Sequence, residues 1–271
     1  MTILFFTRLF HPHLGGVEKH VERIGEELVK LGHQVTVVTE QYDKKLKQVT
    51  KHKGIKVHRI PVYNVSEKAK KWRIWRWLWQ QRGLIQAADI IHIHDVFFWY
   101  LPFRFLFPQK PVFITFHGYE TKFPPSKSAV WQKQLAAKLT SANICVGDYI
   151  GKWYGIKATL VTYGATDQQL LPLPKNPHIL VLGRPSKDNN IQEVRQALKR
   201  AKHIPTTYSL RQASVVIASS YLSILEALAA GRPVISLYSN PLKEDYLLGL
   251  NYQKILTWDK ITQLYLQLWE K

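Results

Sequence analysis

The stretch Thr2–Thr39 reads TILFFTRLFHPHLGGVEKHVERIGEELVKLGHQVTVVT. Its two ends, Thr2–Thr7 and Gln34–Thr39, are short apolar runs, the pattern of strands covered on both faces. Between them Val17, Val21, Ile24, Leu28 and Leu31 recur at helical spacing, and Gly32 stands where a C-terminal cap glycine belongs. Strand, helix and strand in so short a span make a βαβ unit with parallel strands and a right-handed crossover.

The same alternation continues outward. Ile55–Ile60 reads as a weaker strand, and Glu67–Ala87 as one long helix. Asp89–His94, Pro111–Phe116, Ala142–Val146 and Thr159–Thr162 follow as strands separated by helices. Leu171–Pro177 holds three prolines in seven residues and reads as a linker. After it the pattern restarts, with strands at His178–Gly183, Ser214–Ala218 and Pro233–Leu237. Helices are expected at Ile191–Ala201, Ser223–Ala230 and Asp259–Trp269. The fold class is therefore α/β, with one Rossmann-like domain over residues 1–172 and a smaller one over 173–271. Ligands of open α/β sheets bind beyond the strand C-termini, which points to the cleft between the domains.

Composition narrows the function. An apolar content of 46% over 271 residues supports a packed core and argues against disorder. The one cysteine, Cys145, allows no intrachain disulfide and no cysteine-based metal site. The first ten residues, MTILFFTRLF, lack a basic n-region and a small-residue cleavage site, so no signal peptide is expected. The longest apolar run, Val96–Phe107, is twelve residues and contains Arg104, short of the roughly 20 that a spanning helix needs. With 38 basic against 19 acidic residues the formal charge is +19. Such a surface attracts polyanions, whether nucleic acid, anionic lipid or phosphorylated substrates. No nucleic-acid motif accompanies it, so nucleic acid is the disfavoured partner.

Four motifs carry chemistry. Gly15 and Gly16 lie between a strand and a helix, where free backbone and a helix N-terminus make an anion site; the alternative is a tight turn. His94, Asp95 and His117 fall at strand C-termini facing the cleft. A neutral imidazole at His117, followed by Gly118, can hydrogen-bond a sugar hydroxyl, whereas His92 and His94 read as structural. Arg184 and Lys187 follow the first strand of the second domain and could clamp a pyrophosphate, or form a solvated basic loop. Glu226 lies on the short helix that starts at Ser223, and its carboxylate could accept both hydroxyls of a ribose, while the Ser219–Ser220 loop aims helix N–H groups into the cleft, which suits phosphate. Alternatively, Ser223 to Glu226 is a capping box that serves only the helix.

In this order, GGVEKHV, DIIHIHD, ITFHG, VTYGATD, LGRPSK and LEALAAGRPVIS, the chain resembles the GT-B glycosyltransferases of family 4. The resemblance implies two Rossmann-like domains, the second reduced, and a nucleotide-sugar donor held mainly by the second. It implies transfer with retention of anomeric configuration, no cofactor and no essential metal. By position, Gly16 would lie near the donor phosphates, His117 would contact the transferred sugar, Arg184 would clamp the diphosphate and Glu226 would hold the ribose. The family's second glutamate, eight residues earlier, is Ala218 here; its phosphate lysine is Asn189, with Lys187 nearby; Tyr163 stands where many members have Asn. These departures define the alternative of a family member without transfer activity that binds a membrane or a partner.

Lys68–Arg82 reads KAKKWRIWRWLWQQR, with six cations, no acids and four tryptophans. Trp72, Trp75 and Trp79 share one helical face, interleaved with Lys70, Lys71, Arg73 and Arg76, a pattern that suits an anionic membrane surface. The other reading packs the tryptophans on the sheet and leaves the cations in water. The expected setting is cytoplasmic, peripheral at the inner membrane face, with a lipid-linked or glycan acceptor.

Overall fold

The computed structural model describes residues 1–118, 123–183, 185, 189–201, 204–250 and 255–270. In the first lobe the chain runs β1 (Thr2–Thr7), α1 (Gly16–Lys30), β2 (Gln34–Gln41), β3 (Val49–His52), β4 (Ile55–Pro61), α2 (Glu67–Gln80) and α3 (Arg82–Ala87). It continues through β5 (Ile90–His94), α4 (Phe97–Leu106), β6 (Val112–Phe116), α5 (Lys127–Leu139), β7 (Ala142–Val146), α6 (Tyr149–Tyr154) and β8 (Leu160–Thr162). Among the described residues these strands form an eight-stranded sheet in the order β3-β4-β2-β1-β5-β6-β7-β8, parallel except for β3. The order reverses between β1 and β5, so the loops after these strands diverge and open a crevice at their C-terminal edge.

Strand β1 is apolar throughout because both its faces are covered. Ile3 and Phe5 pack with Val21, Ile24 and Leu28 of α1, while Leu4 and Phe6 pack with Ile74, Tyr100 and Phe103 on the other side. Strand β3 escapes sequence patterning because it is a polar, part-exposed edge strand. The hairpin after it turns through Lys53 (φ 48°) and Gly54 (φ 83°), both in the left-handed region that a two-residue hairpin loop demands. The single helix expected over Glu67–Ala87 is two, because Gln81 leaves helical dihedrals (φ −100°, ψ 21°).

The second lobe contains β9 (Ile179–Leu182), α7 (Ile191–Arg200), β10 (Thr206–Thr207), β11 (Val215–Ala218), α8 (Tyr221–Ala229), β12 (Val234–Ile235) and α9 (Pro241–Leu248). Its sheet is four-stranded and parallel among the described residues, in the order β10-β9-β11-β12, with its own reversal between β9 and β11. The proline-rich segment is tied down. Arg232, 1% exposed, donates from Nη1 to Leu171 O (3.4 Å) and from Nη2 to Pro172 O (2.6 Å).

Helix α10 (Trp258–Trp269), expected as the last element of the second lobe, lies on the first. Trp258, Ile261, Tyr265, Leu268 and Trp269 join the cluster of Phe5, Val21 and Ile24. The β5 side chains on this face are Ile90, His92 and His94, so α10 covers two buried histidines and meets them with Tyr265 and Trp269.

Candidate active site

The two switch points face each other across a cleft of about 980 Å³. The first lobe supplies Gly15, Gly16, Lys19, His20, His117 and Gly118; the second supplies Ser220, Ser223, Glu226, Lys243 and Tyr246. Of the residues expected to bind the donor or act in catalysis, Gly15, Gly16, His117, Ser220, Ser223 and Glu226 line this one cleft. Arg184 and Lys187 lie outside the described residues.

On the first lobe, Gly15 caps α1 with extended backbone and no side-chain cap. A Cβ built on Gly16 would meet nothing within 4 Å. No packing among the described residues demands glycine there, and the bare backbone leaves room for a ligand at the helix N-terminus. Asp95 follows β5 with φ 63°, a left-handed conformation that Asp tolerates. Its carboxylate accepts from the His117 amide (3.2 and 3.3 Å) and faces Lys133 Nζ at 3.5 Å. Asp95 therefore anchors the loop carrying His117, and burial raises its carboxyl pKa. The His117 ring meets His94, with Nε2 2.9 Å from His94 Nδ1. Burial, reinforced by the Lys133 ammonium, pushes His117 down to about 3, so this imidazole is neutral in the working pH range. His92 proves structural, held by Thr115 Oγ1 (2.7 Å) and Trp269 Nε1 (3.0 Å).

On the second lobe, α8 begins two residues earlier than the sequence suggested, with Ser220 at its N-cap. The capping-box reading of Glu226 therefore falls: Ser223 is inside the helix, and Glu226 is ion-paired with Lys19 across the cleft. Ser220 Oγ donates to Ser223 Oγ (3.0 Å) and makes no side-chain cap. The amide of Tyr221 donates to Tyr246 Oη (2.8 Å), while those of Leu222 and Ser223 have no acceptor among the described residues. The helix thus presents amides and the positive end of its dipole to the cleft. Beside it sits Lys243, 6% exposed, with Nζ donating to Ser219 O (2.6 Å) and lying 3.9 Å from the Tyr246 ring centre. The Tyr246 ring stacks on Tyr221 (3.9 Å).

Sequence reading missed Lys19, His20 and Lys243. His20 had a signal: it lies one helical turn from Gly16, on the same face of α1. Lys243 also had one. Asn240 followed by Pro241 marks a helix start, and the Asn240 side chain does cap α9 at the Lys243 amide (2.9 Å).

The tryptophan face expected of Trp72, Trp75 and Trp79 divides. Ile74 and Leu78, four residues apart, define the buried stripe of α2. Trp75 leans inward and donates Nε1 to Phe98 O (2.9 Å), while Trp72 (62%) and Trp79 (51%) stay exposed. Lys70 is engaged with Glu40 (3.2 Å) and Glu67 (2.6 Å), whereas Lys71, Arg73 and Arg76 are exposed. Among the described residues no helix is long and apolar enough to cross a membrane.

Two facing Rossmann-like sheets with a cleft between their switch points are the architecture of GT-B glycosyltransferases. Sucrose-phosphate synthase from Thermosynechococcus elongatus shares that fold with a TM-score of 0.73 at 14% identity, over 99% of both chains. Residues 14–155 match the Glycosyltransferase Family 4 model, and the chain belongs to that family. It is similar to a subunit of human phosphatidylinositol N-acetylglucosaminyltransferase, at 25% identity over 66% of this chain and 35% of that protein. It is also similar to the Saccharomyces cerevisiae GPI3 subunit of the enzyme of that name, at 35% identity over 20% of this chain and 12% of that protein. The chain thus spans little more than a third of the length of these curated relatives, or less.

Proposed function

We propose that the chain is a retaining, metal-independent glycosyltransferase that moves a sugar from a nucleotide-sugar donor to a lipid-linked or glycan acceptor. The observation that carries this reading is the convergence in one cleft of a helix N-terminus and a buried ammonium from one lobe with a neutral imidazole from the other. As the bond from the anomeric carbon to the diphosphate oxygen breaks, negative charge grows on the leaving oxygen. The α8 amides and Lys243 are placed to meet that charge. Lys243 thereby supplies the cation that Asn189 does not. Glu226 receives the ribose hydroxyls once its pairing with Lys19 opens or is shared. His117 contacts the transferred sugar.

Incubation with a panel of UDP-, GDP- and ADP-sugars is expected to release nucleoside diphosphate, and His117→Ala to abolish that release. No binding of any donor at millimolar concentration would defeat the reading. The alternative, a family member without transfer activity, is favoured by Ala218, which is fully buried and leaves β11 without a second carboxylate. It predicts no release in the wild type and a cellular role unaffected by His117→Ala.

The exposed part of α2 supports docking at an anionic, cytoplasm-facing membrane. Lys71 lies 5.3 Å from the Trp72 ring centre and Arg82 5.1 Å from that of Trp79, so cation and aromatic group are presented together. Co-sedimentation is expected with phosphatidylserine-containing vesicles and to be lost in Trp72→Ala/Trp79→Ala. Equal weak binding to neutral and anionic vesicles would reject the docking.

A further inference from the structure

Behind the cleft runs a buried relay of hydrogen bonds that starts on α10. Trp269 Nε1 to His92 Nδ1 is 3.0 Å, His92 Nε2 to Thr115 Oγ1 is 2.7 Å, Thr115 Oγ1 to Tyr265 Oη is 2.8 Å and Tyr265 Oη to His20 Nε2 is 2.9 Å. His92, Thr115 and Tyr265 have no exposure and His20 only 2%. An indole nitrogen can only donate. His92 Nδ1 is therefore an acceptor, and a neutral His92 carries its proton on Nε2 and donates it to Thr115. Thr115 then has one proton left to place. If it donates to Tyr265, Tyr265 donates to His20, and every proton in the relay has an acceptor. If the last two bonds ran the other way, the Thr115 hydroxyl proton would be stranded in a dry core. The consistent direction runs outward from Trp269, and His20 Nε2 accepts at its end.

The second imidazole of the cleft is set in the same way. One proton is shared between His94 Nδ1 and His117 Nε2 at 2.9 Å. His94 Nε2 is buried and has no partner among the described residues. Were the proton on His117 Nε2, a neutral His94 would carry its own on Nε2, as an N–H with no acceptor. With the proton on His94 Nδ1 no hydrogen is stranded; buried orphan N–H groups are the rarer defect. His117 Nε2 is then the acceptor.

We propose that His20 and His117, whose rings meet edge to face at 4.7 Å, are both locked as Nδ1–H tautomers. Both residues line the cleft, and neither Nδ1 is bonded to any of the described residues. Among the described residues the cleft therefore offers a pair of imidazole N–H donors and no imidazole base. The ligand atoms that meet them are oxygens with lone pairs, such as sugar hydroxyls. Neither ring accepts a proton from an attacking hydroxyl. Tyr265, Trp269 and His94 are positioning residues that act through the two rings. The lock stands on the hydrogen bonds alone; its use in reading a sugar rests on the transfer reading above.

The test is ring-nitrogen NMR of the full chain labelled with 15N-histidine and free of ligand, with rings assigned through single histidine variants. His20 and His117 are expected to show a protonated Nδ1 and a bare Nε2, the tautomer an unconstrained histidine disfavours. Tyr265→Phe removes the donor to His20 and should shift that ring toward Nε2–H while leaving His117 unchanged. His94→Leu should shift His117 and leave His20, and His94→Asn, which keeps an amide donor near the Nδ1 position, should restore it. A protonated Nε2 on either ring in the wild-type protein overturns the proposal, as does a tautomer that ignores these variants. No activity is needed for the measurement, so failure of the transfer reading would leave it intact.

Discussion

Lowering the pH from 6.5 to 5.5 is expected to destabilise this protein by about 3 kcal/mol, a large fraction of the roughly 5–15 kcal/mol that holds a typical domain together. The cause is the row of neutral imidazoles behind the cleft. Burial holds His20, His92 and His94 well below the ordinary histidine pKa, and neighbouring histidines push in the same direction. A native pKa below the unfolded value means that the unfolded chain binds more protons, so stability is lost as pH falls below about 6.5. Each ring that stays neutral costs about 1 kcal/mol over this interval, because an unfolded histidine is already half protonated at pH 6.5, and three rings give the figure above. His11, His33 and His58 shift in the same sense. Asp95 acts oppositely, since burial raises its pKa, but one carboxyl does not offset three rings. Urea melts at the two pH values measure the difference, and His92→Asn should remove about a third of it. Equal stabilities at pH 6.5 and 5.5 would show that these rings are charged in the native protein.

Replacing Lys243 by Met is expected to weaken nucleoside diphosphate binding roughly 30-fold, about 2 kcal/mol, the usual contribution of a hydrogen bond to a charged group. The ammonium is almost fully buried beside the open amides of α8, where its attraction for a diphosphate is little screened. Nucleoside affinity should change little, because the base and ribose are met elsewhere in the cleft. Titration calorimetry with UDP, GDP and ADP, each paired with its nucleoside, separates the two terms. A variant that loses both equally has lost the shape of the lobe, through Ser219 and the Tyr246 ring. One that loses neither removes Lys243 from the donor site.

Much of the fold was legible in the order of residues because the local signals are strong. The runs TILFFT, QVTVVT and PVFITF are apolar on both faces, which only a covered parallel strand requires, and they are β1, β2 and β6. Gly16, His117 and Glu226 could be named in advance because each closes a short motif at a strand or helix boundary, and all three line the cleft. Edge strand β3 was hidden by its polar alternation. The start of α8 was misread because Ser223 and Glu226 imitate a capping box whose true cap, Ser220, lies one turn earlier.

The amino-acid sequence by itself determined the α/β class, the succession of strands and helices, and which loops stand at strand C-termini, since these follow from periodicity and turn chemistry within a few residues. Only the tertiary structure decided that α10 returns to the first lobe, that Lys19 reaches Glu226, that Lys243 is buried beside α8, and that Trp269 and Tyr265 stand behind His92 and His20. Each of these joins residues tens to more than two hundred positions apart. Such partners are selected by the shape and the unpaired donors of a folded interior, and local periodicity carries no record of them.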